Sequence, residues 1–296
     1  MMQPQLILDV HADLGEGPAW EARNGMLTWV DIHAGHLHIF DPRQERDWVI
    51  DMGESIGCAA PRKMGGLVLG MKSGFALLDA ALLSEAGPEM RFILNPEPHL
   101  PGNRFNDGKC DPAGRFLAGT MDDNERLPSG SLYSLSPDGK LKTLLRGTRI
   151  SNGLAWSTDY RTFYHIDTPT RTVMAYDYDL ASGEIANPRA AVAIPAGMGW
   201  PDGMTSDAEG MLWVALWGGA KLTRWDPATG RLETEIPFPA YNVSCCTFGG
   251  PDLDDLYVTT ARKGMSAEQL AKYPLSGGLF RIHTKWQGMP TFEFGG

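Results

Sequence analysis

The sequence predicts an all-β chain folded as a six-bladed β-propeller, with residues 1–296 in a single domain, and three observations carry that expectation. Short runs rich in aromatic and β-branched residues, bounded by turn signals, fill the chain from end to end. A local grammar recurs: a polar lead-in such as Asn106-Asp107-Gly108, a turn such as Asp111-Pro112-Ala113-Gly114, then a strand-like run at 115–120. Proline presets φ at the second turn position and glycine takes the conformation other residues resist, so the turn joins two strands. The repeats begin near Gly15, Cys58, Asn106, Asn152, Asp202 and Ser244, about 42–50 residues apart, which is the length of a four-stranded blade.

Taken in order, each unit offers two adjacent strand candidates. They are 26–30 and 36–40, 67–71 and 75–78, 116–120 and 131–135, 162–166 and 173–178, 211–216 and 221–225, and 255–260 and 278–282. Tight turns such as Lys72-Ser73-Gly74 and Trp217-Gly218-Gly219 separate partners, and Asp-Pro pairs at Asp41-Pro42 and Asp226-Pro227 close second runs. Residues 75–86 have a helical look, but Gly74 and their place in the repeat favour strand. One short helix is expected at 266–273, where Ser266 and Gln269 form a capping box.

The chain has 296 residues, of which 43% are hydrophobic, enough for a large core. A formal charge of −10 argues against a nucleic-acid partner, since displacing counterions from phosphates needs a Lys/Arg-rich face. No apolar run approaches membrane-spanning length, and 1–6 lacks the charged and apolar regions of a signal peptide. Cys58, Cys110, Cys245 and Cys246 form no Cys-x-x-Cys pair, so reduced thiols and a cytoplasmic location are expected. The sequon at Asn242 then has no role.

Equivalent residues of propeller blades are related by rotation about the axis, so residues in phase with the repeat face one funnel. Glu16, Asn106 with Asp107, Asn152 and Asp202 occupy that phase. One donor from each of these blades, the carboxylates of Glu16 and Asp202 and the amides of Asn106 and Asn152, supplies oxygen suited to Ca²⁺, Mg²⁺ or Mn²⁺, with Zn²⁺ possible where water positions stay open. Singly, an Asn-Gly or Asp-Gly pair is more simply a turn former. Their common phase is what points to a metal site.

Further motifs make the chain resemble the SMP-30/gluconolactonase/luciferin-regenerating-like family, which includes regucalcin and bacterial sugar lactonases. The resemblance runs from Leu14 to Ile282. It rests on Leu14-Gly-Glu-Gly-Pro-Ala-Trp, Asn103-Arg-Phe-Asn-Asp-Gly-Lys, Ala118-Gly-Thr-Met, Ser151-Asn-Gly-Leu-Ala-Trp, Pro201-Asp-Gly-Met, Asp207-Ala-Glu-Gly and Cys246-Thr-Phe-Gly-Gly. The run Thr260-Ala-Arg-Lys-Gly-Met is similar to bacterial aldonolactonases in particular. The resemblance implies a six-bladed propeller with one axial divalent ion (Ca, Zn, Mn, Mg or Fe), held by Glu16, Asn152 and Asp202. It further implies that Arg104 and Asn106 contact a sugar lactone, where Arg104 alone would read as a surface ion pair. Where regucalcin-like members carry a Glu, this chain has Asn124, expected to face the substrate, with Asp122, Asp123 and Glu125 as possible stand-ins.

The implied activity is hydrolysis of an aldono-lactone of the gluconolactone, xylonolactone, arabinonolactone or galactonolactone type. Asp202 would be the general base, with Glu16 as the fallback and Asp107 orienting a ligand. A non-catalytic, calcium-binding regulatory propeller and a metal-dependent phosphotriesterase are the rival expectations. The expected partner is a small sugar lactone, and the expected state is a monomer or weak homo-oligomer.

Other signals point away from chemistry. Gly53-Glu-Ser55-Ile-Gly57 matches a nucleophile elbow, but Pro61 stands where its helix should run. His33, His36 and His38 fall in a hairpin of the first blade. Asp252, Asp254 and Asp255 lack the glycine and distal glutamate of an EF-hand loop. Cys245 and Cys246 read first as packing residues.

Overall fold

The computed structural model describes residues 2–80 and 89–296. Strands follow one another as antiparallel meanders in six four-stranded sheets. The innermost strands are Gly15–Glu21, Ile56–Pro61, Asn103–Cys110, Ser151–Trp156, Trp200–Ser206 and Asn242–Gly249. Each packs beside the next around an axis, and the last returns to the first, which closes a ring of six blades as the repeat period predicts. Alternating apolar side chains from adjacent blades interdigitate between sheets. Trp29, Phe40, Phe75, Phe116, Phe163, Trp213, Phe248 and Phe280 are wholly buried there, each contributing roughly 2–3 kcal/mol of apolar burial.

The sixth blade is built from both ends of the chain. Its outermost strand is Gln5–Leu8, which pairs antiparallel with Leu279–His283 through Gln5↔Arg281 and Leu6↔Phe280. The repeat pattern does not reveal this strand, because it lies before the first unit.

The end of the chain also departs from the repeat. Residues 284–296 cross the far mouth of the channel as an extended strap. The Met289 amide donates to the Ser206 carbonyl at 3.3 Å, Phe294 to Pro61 at 2.8 Å and Gly295 to Gly114 at 2.9 Å. The Arg23 guanidinium reaches Glu293 at 3.1 Å.

The short helix is Ala267–Lys272, and both capping-box bonds form: the Gln269 amide donates to Ser266 Oγ at 3.2 Å, and the Ser266 amide to Gln269 Oε1 at 2.8 Å. Gly74–Leu78 is a strand, as its place in the repeat requires; the rest of the 75–86 expectation lies largely outside the described residues. Among the described residues no helix is long and apolar enough to cross a membrane. All four cysteines are buried and unbridged.

One irregularity recurs six times. Every inner strand shifts register against its neighbour near the same height, at Glu16/Ala19, Ile56/Cys58, Phe105/Gly108, Asn152/Leu154, Pro201/Met204 and Val243/Cys245. A bulge leaves one residue unpaired, bends the strand and re-aims its side chains. The Asn-Gly and Asp-Gly pairs that look like hairpin turns therefore lie inside strands. Gly17 and Gly153 take the positive φ values of 52° and 37° that this bend demands.

Candidate metal centre

The bulges point Glu16, Asn106, Asn152 and Asp202 into one axial cavity of about 500 Å³, which Arg104 also lines. All five are nearly inaccessible to solvent. Four of them form one chain of hydrogen bonds running round the axis. Arg104 Nη1 donates to Asn106 Oδ1 at 2.8 Å, and Asn106 Nδ2 donates to Asn152 Oδ1 at 3.0 Å. Asn152 Nδ2 then donates to Asp202 Oδ1 at 2.5 Å and to Thr168 Oγ1 at 3.0 Å. Every dipole points from guanidinium to carboxylate, so each bond polarises the next.

Arg104 is not a surface ion pair. Its Nε donates to Asp123 Oδ1 at 2.9 Å and its Nη1 also holds the Phe105 carbonyl at 3.0 Å. Burial lowers its pKa, with Asp123 opposing. Close glycine packing fixes these positions. A Cβ on Gly203, next to Asp202, would stand 2.2 Å from Cys245 Sγ, and one on Gly57 would stand 2.4 Å from the Phe105 carbonyl carbon.

Buried negative charge dominates the site. Desolvation first, and then Asp107, push the Glu16 carboxyl up to about 8, even though the Gly17 amide donates to Glu16 Oε2 at 3.1 Å. Burial, then Glu16 and Asp107, push the Asp202 carboxyl well above the usual range. Burial raises Asp107 too. Three carboxyls with raised pKa values share one channel, while the guanidinium of Arg104 is already engaged by Asp123. Such an oxygen-rich, under-neutralised pocket fits a hard divalent cation, which relieves the repulsion that burial creates.

The structure brings Glu16, Arg104, Asn106, Asn152 and Asp202 together. It does not bring Asn124, which is exposed and outside the cavity lining; Glu125 faces the cavity in its place. Asn106 points at Asn152 and the Ser151 carbonyl, so its amide is committed to holding the site. Asp107 lies one level lower, lining a second cavity of about 50 Å³ above the strap together with Lys109 and Cys245. Lys109 Nζ donates there to the Met204 carbonyl at 2.6 Å.

Single-sequence reasoning did not single out Lys263, Thr168 or the aromatic wall of Trp200, Trp217 and Tyr241 that completes the upper cavity. Lys263 lies in the Thr260-Ala-Arg-Lys run already noted; the aromatics carry no motif. Of the three first-blade histidines, His33 Nδ1 meets Asp13 Oδ2 at 2.7 Å, His38 Nδ1 meets Asp47 Oδ2 at 2.7 Å while its ring stacks on Trp29, and His36 packs edge-on to His38. No helix follows Ser55; the strand Ile56–Pro61 does.

Fold and site together define a six-bladed propeller with buried, cation-compatible oxygen donors gathered at its axis. Comparison with known proteins makes this specific: the description "SMP-30/Gluconolactonase/LRE-like region" matches residues 14–262, and the chain belongs to that family. It is 38% identical over 295 residues to "Putative sugar lactone lactonase YvrE" of Bacillus subtilis, covering 100% of this chain and 99% of that one. It is 37% identical over 284 residues to regucalcin of Homo sapiens, covering 94% and 93%. Among solved structures, a luciferin-regenerating enzyme superposes with a TM-score of 0.91 at 32% identity over 100% of both chains. A calcium-binding regucalcin from Agrobacterium tumefaciens superposes with a TM-score of 0.93 at 26% identity, covering 99% and 97%.

Proposed function

We propose that the protein is a divalent-metal-dependent sugar lactonase that opens a neutral aldono-lactone to its aldonic acid. The observation that carries this reading is the polarised chain Arg104–Asn106–Asn152–Asp202 facing Glu16 across a cavity open to solvent. Glu16, Asn152 and Asp202 are the residues to hold the cation. When bound, the cation supplies Lewis-acid stabilisation of the charge that develops on the lactone carbonyl oxygen.

The remaining work falls to side chains. Asn152 binds one oxygen of Asp202, which leaves the other free to accept a proton from the attacking water. The water oxygen bonds to the carbonyl carbon, the bond from that carbon to the ring oxygen breaks, and the proton passes from Asp202 to the departing alkoxide. No hydrogen bond engages Arg104 Nη2 among the described residues, so it can donate to a ring hydroxyl and hold the ester in register. Trp200, Trp217 and Tyr241 give the sugar an apolar face to rest on.

The test is pH-stat hydrolysis over a panel of aldonolactones, with and without chelator, corrected for spontaneous opening. Turnover that survives removal of the metal ends the mechanism. Tight cation binding without turnover on any lactone favours the regulatory propeller instead.

A further inference from the structure

The cavity has a bar across its mouth. Lys263 follows the second strand of blade six, Asp255–Ala261, and Glu125 follows the second strand of blade three, Phe116–Asp122. In a ring of six, blades three and six stand on opposite sides of the axis. Lys263 Nζ nevertheless forms an ion pair and hydrogen bond with Glu125 Oε1, and both residues line the upper cavity. The two side chains therefore meet over the axial site.

Both ends of the bar are anchored. The Lys263 amide donates to the Asp13 carbonyl at 2.8 Å, and its carbonyl accepts from Asn242 Nδ2 at 3.1 Å. The Glu125 amide donates to the Asp122 carbonyl at 2.8 Å, and two residues nearer the strand the Asp123 amide donates to the Gly102 carbonyl at 3.0 Å. Glu125 sits at φ 60°, a left-handed conformation that side-chain-bearing residues adopt only when the surroundings impose it. Its carboxylate lines the cavity and is met there by Lys263. Among the ion pairs of the described residues, this one alone joins opposite blades across the cavity.

We propose that the Lys263–Glu125 pair sets the size of the lactone admitted, confining the site to single-ring sugars. This rests on the lactonase reading for its substrate and on geometry for its action. A compact lactone passes beside or beneath the pair, whereas a glycosyl substituent on the ring would have to occupy the space the two side chains fill. The pair also stands between bulk solvent and the cation-binding oxygens, so it slows the approach of a bulky chelator.

The experiment uses the full chain as Lys263→Ala, Glu125→Ala, Lys263→Glu and the double exchange Lys263→Glu with Glu125→Lys. The ratio of kcat/KM for a glycosylated aldonolactone, such as maltobionolactone, to that for gluconolactone is expected to rise about tenfold in each single variant. The double exchange rebuilds the pair with reversed polarity and should return the ratio towards the original. In parallel, stripping of bound Mn²⁺ by EDTA, followed by electron paramagnetic resonance, should run several-fold faster in the single variants. Unchanged ratios together with unchanged stripping rates overturn the proposal. A protein that hydrolyses no lactone sinks the lactonase reading alone, because the stripping rates then decide the bar by themselves.

Discussion

Asn152 stands 2.5 Å from Asp202, with its amide nitrogen donating to Oδ1 of a carboxylate that comes from the neighbouring blade. The contact joins two bulged strands and fixes which oxygen of Asp202 remains available. Because Asn152 is itself held by Asn106, and Asn106 by Arg104, the orientation of one carboxylate depends on residues from the two preceding blades.

Replacing Asp202 by Ala should lower kcat by ~10²–10⁴-fold, the range of a lost general base, and should weaken cation affinity as well. Asp202→Asn separates the two roles. It keeps an oxygen donor but cannot accept the proton, so calorimetry should still detect cation binding while pH-stat turnover falls. Equal turnover in Asp202→Asn and the parent protein would remove Asp202 from the base role.

Arg104 is predicted to matter for stability as much as for turnover. Arg104→Met leaves the Asn106 carbonyl without its donor and Asp123 with only Lys72, 3.5 Å away, and should cost ~2 kcal/mol in urea unfolding. Arg104→Lys keeps the charge but loses the fork that grips Asp123, Phe105 and Asn106 together. A KM for gluconolactone raised about tenfold, with partly retained stability, is the expected result.

If Glu16 holds the cation as proposed, cation binding is linked to protons. In cation-free protein its folded pKa of about 8 exceeds the ordinary 4.5, so its stabilising proton is fully present below pH 4.5 and is lost as pH rises through about 8. Chelated protein should therefore melt at lower temperature at pH 8 than at pH 6, and added cation should reverse the difference. Binding at pH 7 should release protons, read from calorimetry in buffers of different ionisation enthalpy.

His165 supplies an acid-side prediction. It is buried beside Ser151 Oγ at 2.8 Å, and burial lowers its pKa from 6.5 to about 4. The unfolded chain takes up a proton near pH 6.5 and the folded one only near 4. Stability should therefore fall as pH drops through that window, by up to ~3 kcal/mol. Urea titrations of the parent and His165→Gln at pH 7 and pH 5 should show a steeper loss in the parent.

The blade count was legible because turn chemistry and apolar runs are local, and Asp111-Pro112-Ala113-Gly114 states its geometry within four residues. Glu16, Asn152 and Asp202 could be grouped because rotation about an axis converts sequence phase into position. Glu125 and Lys263 could not, since they lie outside the repeat and meet only because loops of opposite blades lean inward. Asn124 illustrates the same limit: one residue along a turn decides between facing solvent and facing the cavity. The bulges were hidden for another reason, as Asn-Gly and Asp-Gly are equally at home in a hairpin and in a kinked strand.

Because Gln5–Leu8 pairs with Leu279–His283, the ring has no native closure until nearly all of the chain has left the ribosome. Five blades can form early, but the seam joins segments separated by roughly 270 residues, and such distant pairing is slow to find. During that interval the open edge of Leu279–His283 can accept a strand from another molecule as readily as its own. Deleting the first eight residues should therefore shift the protein towards aggregates during expression, well before any loss in what the purified ring can do.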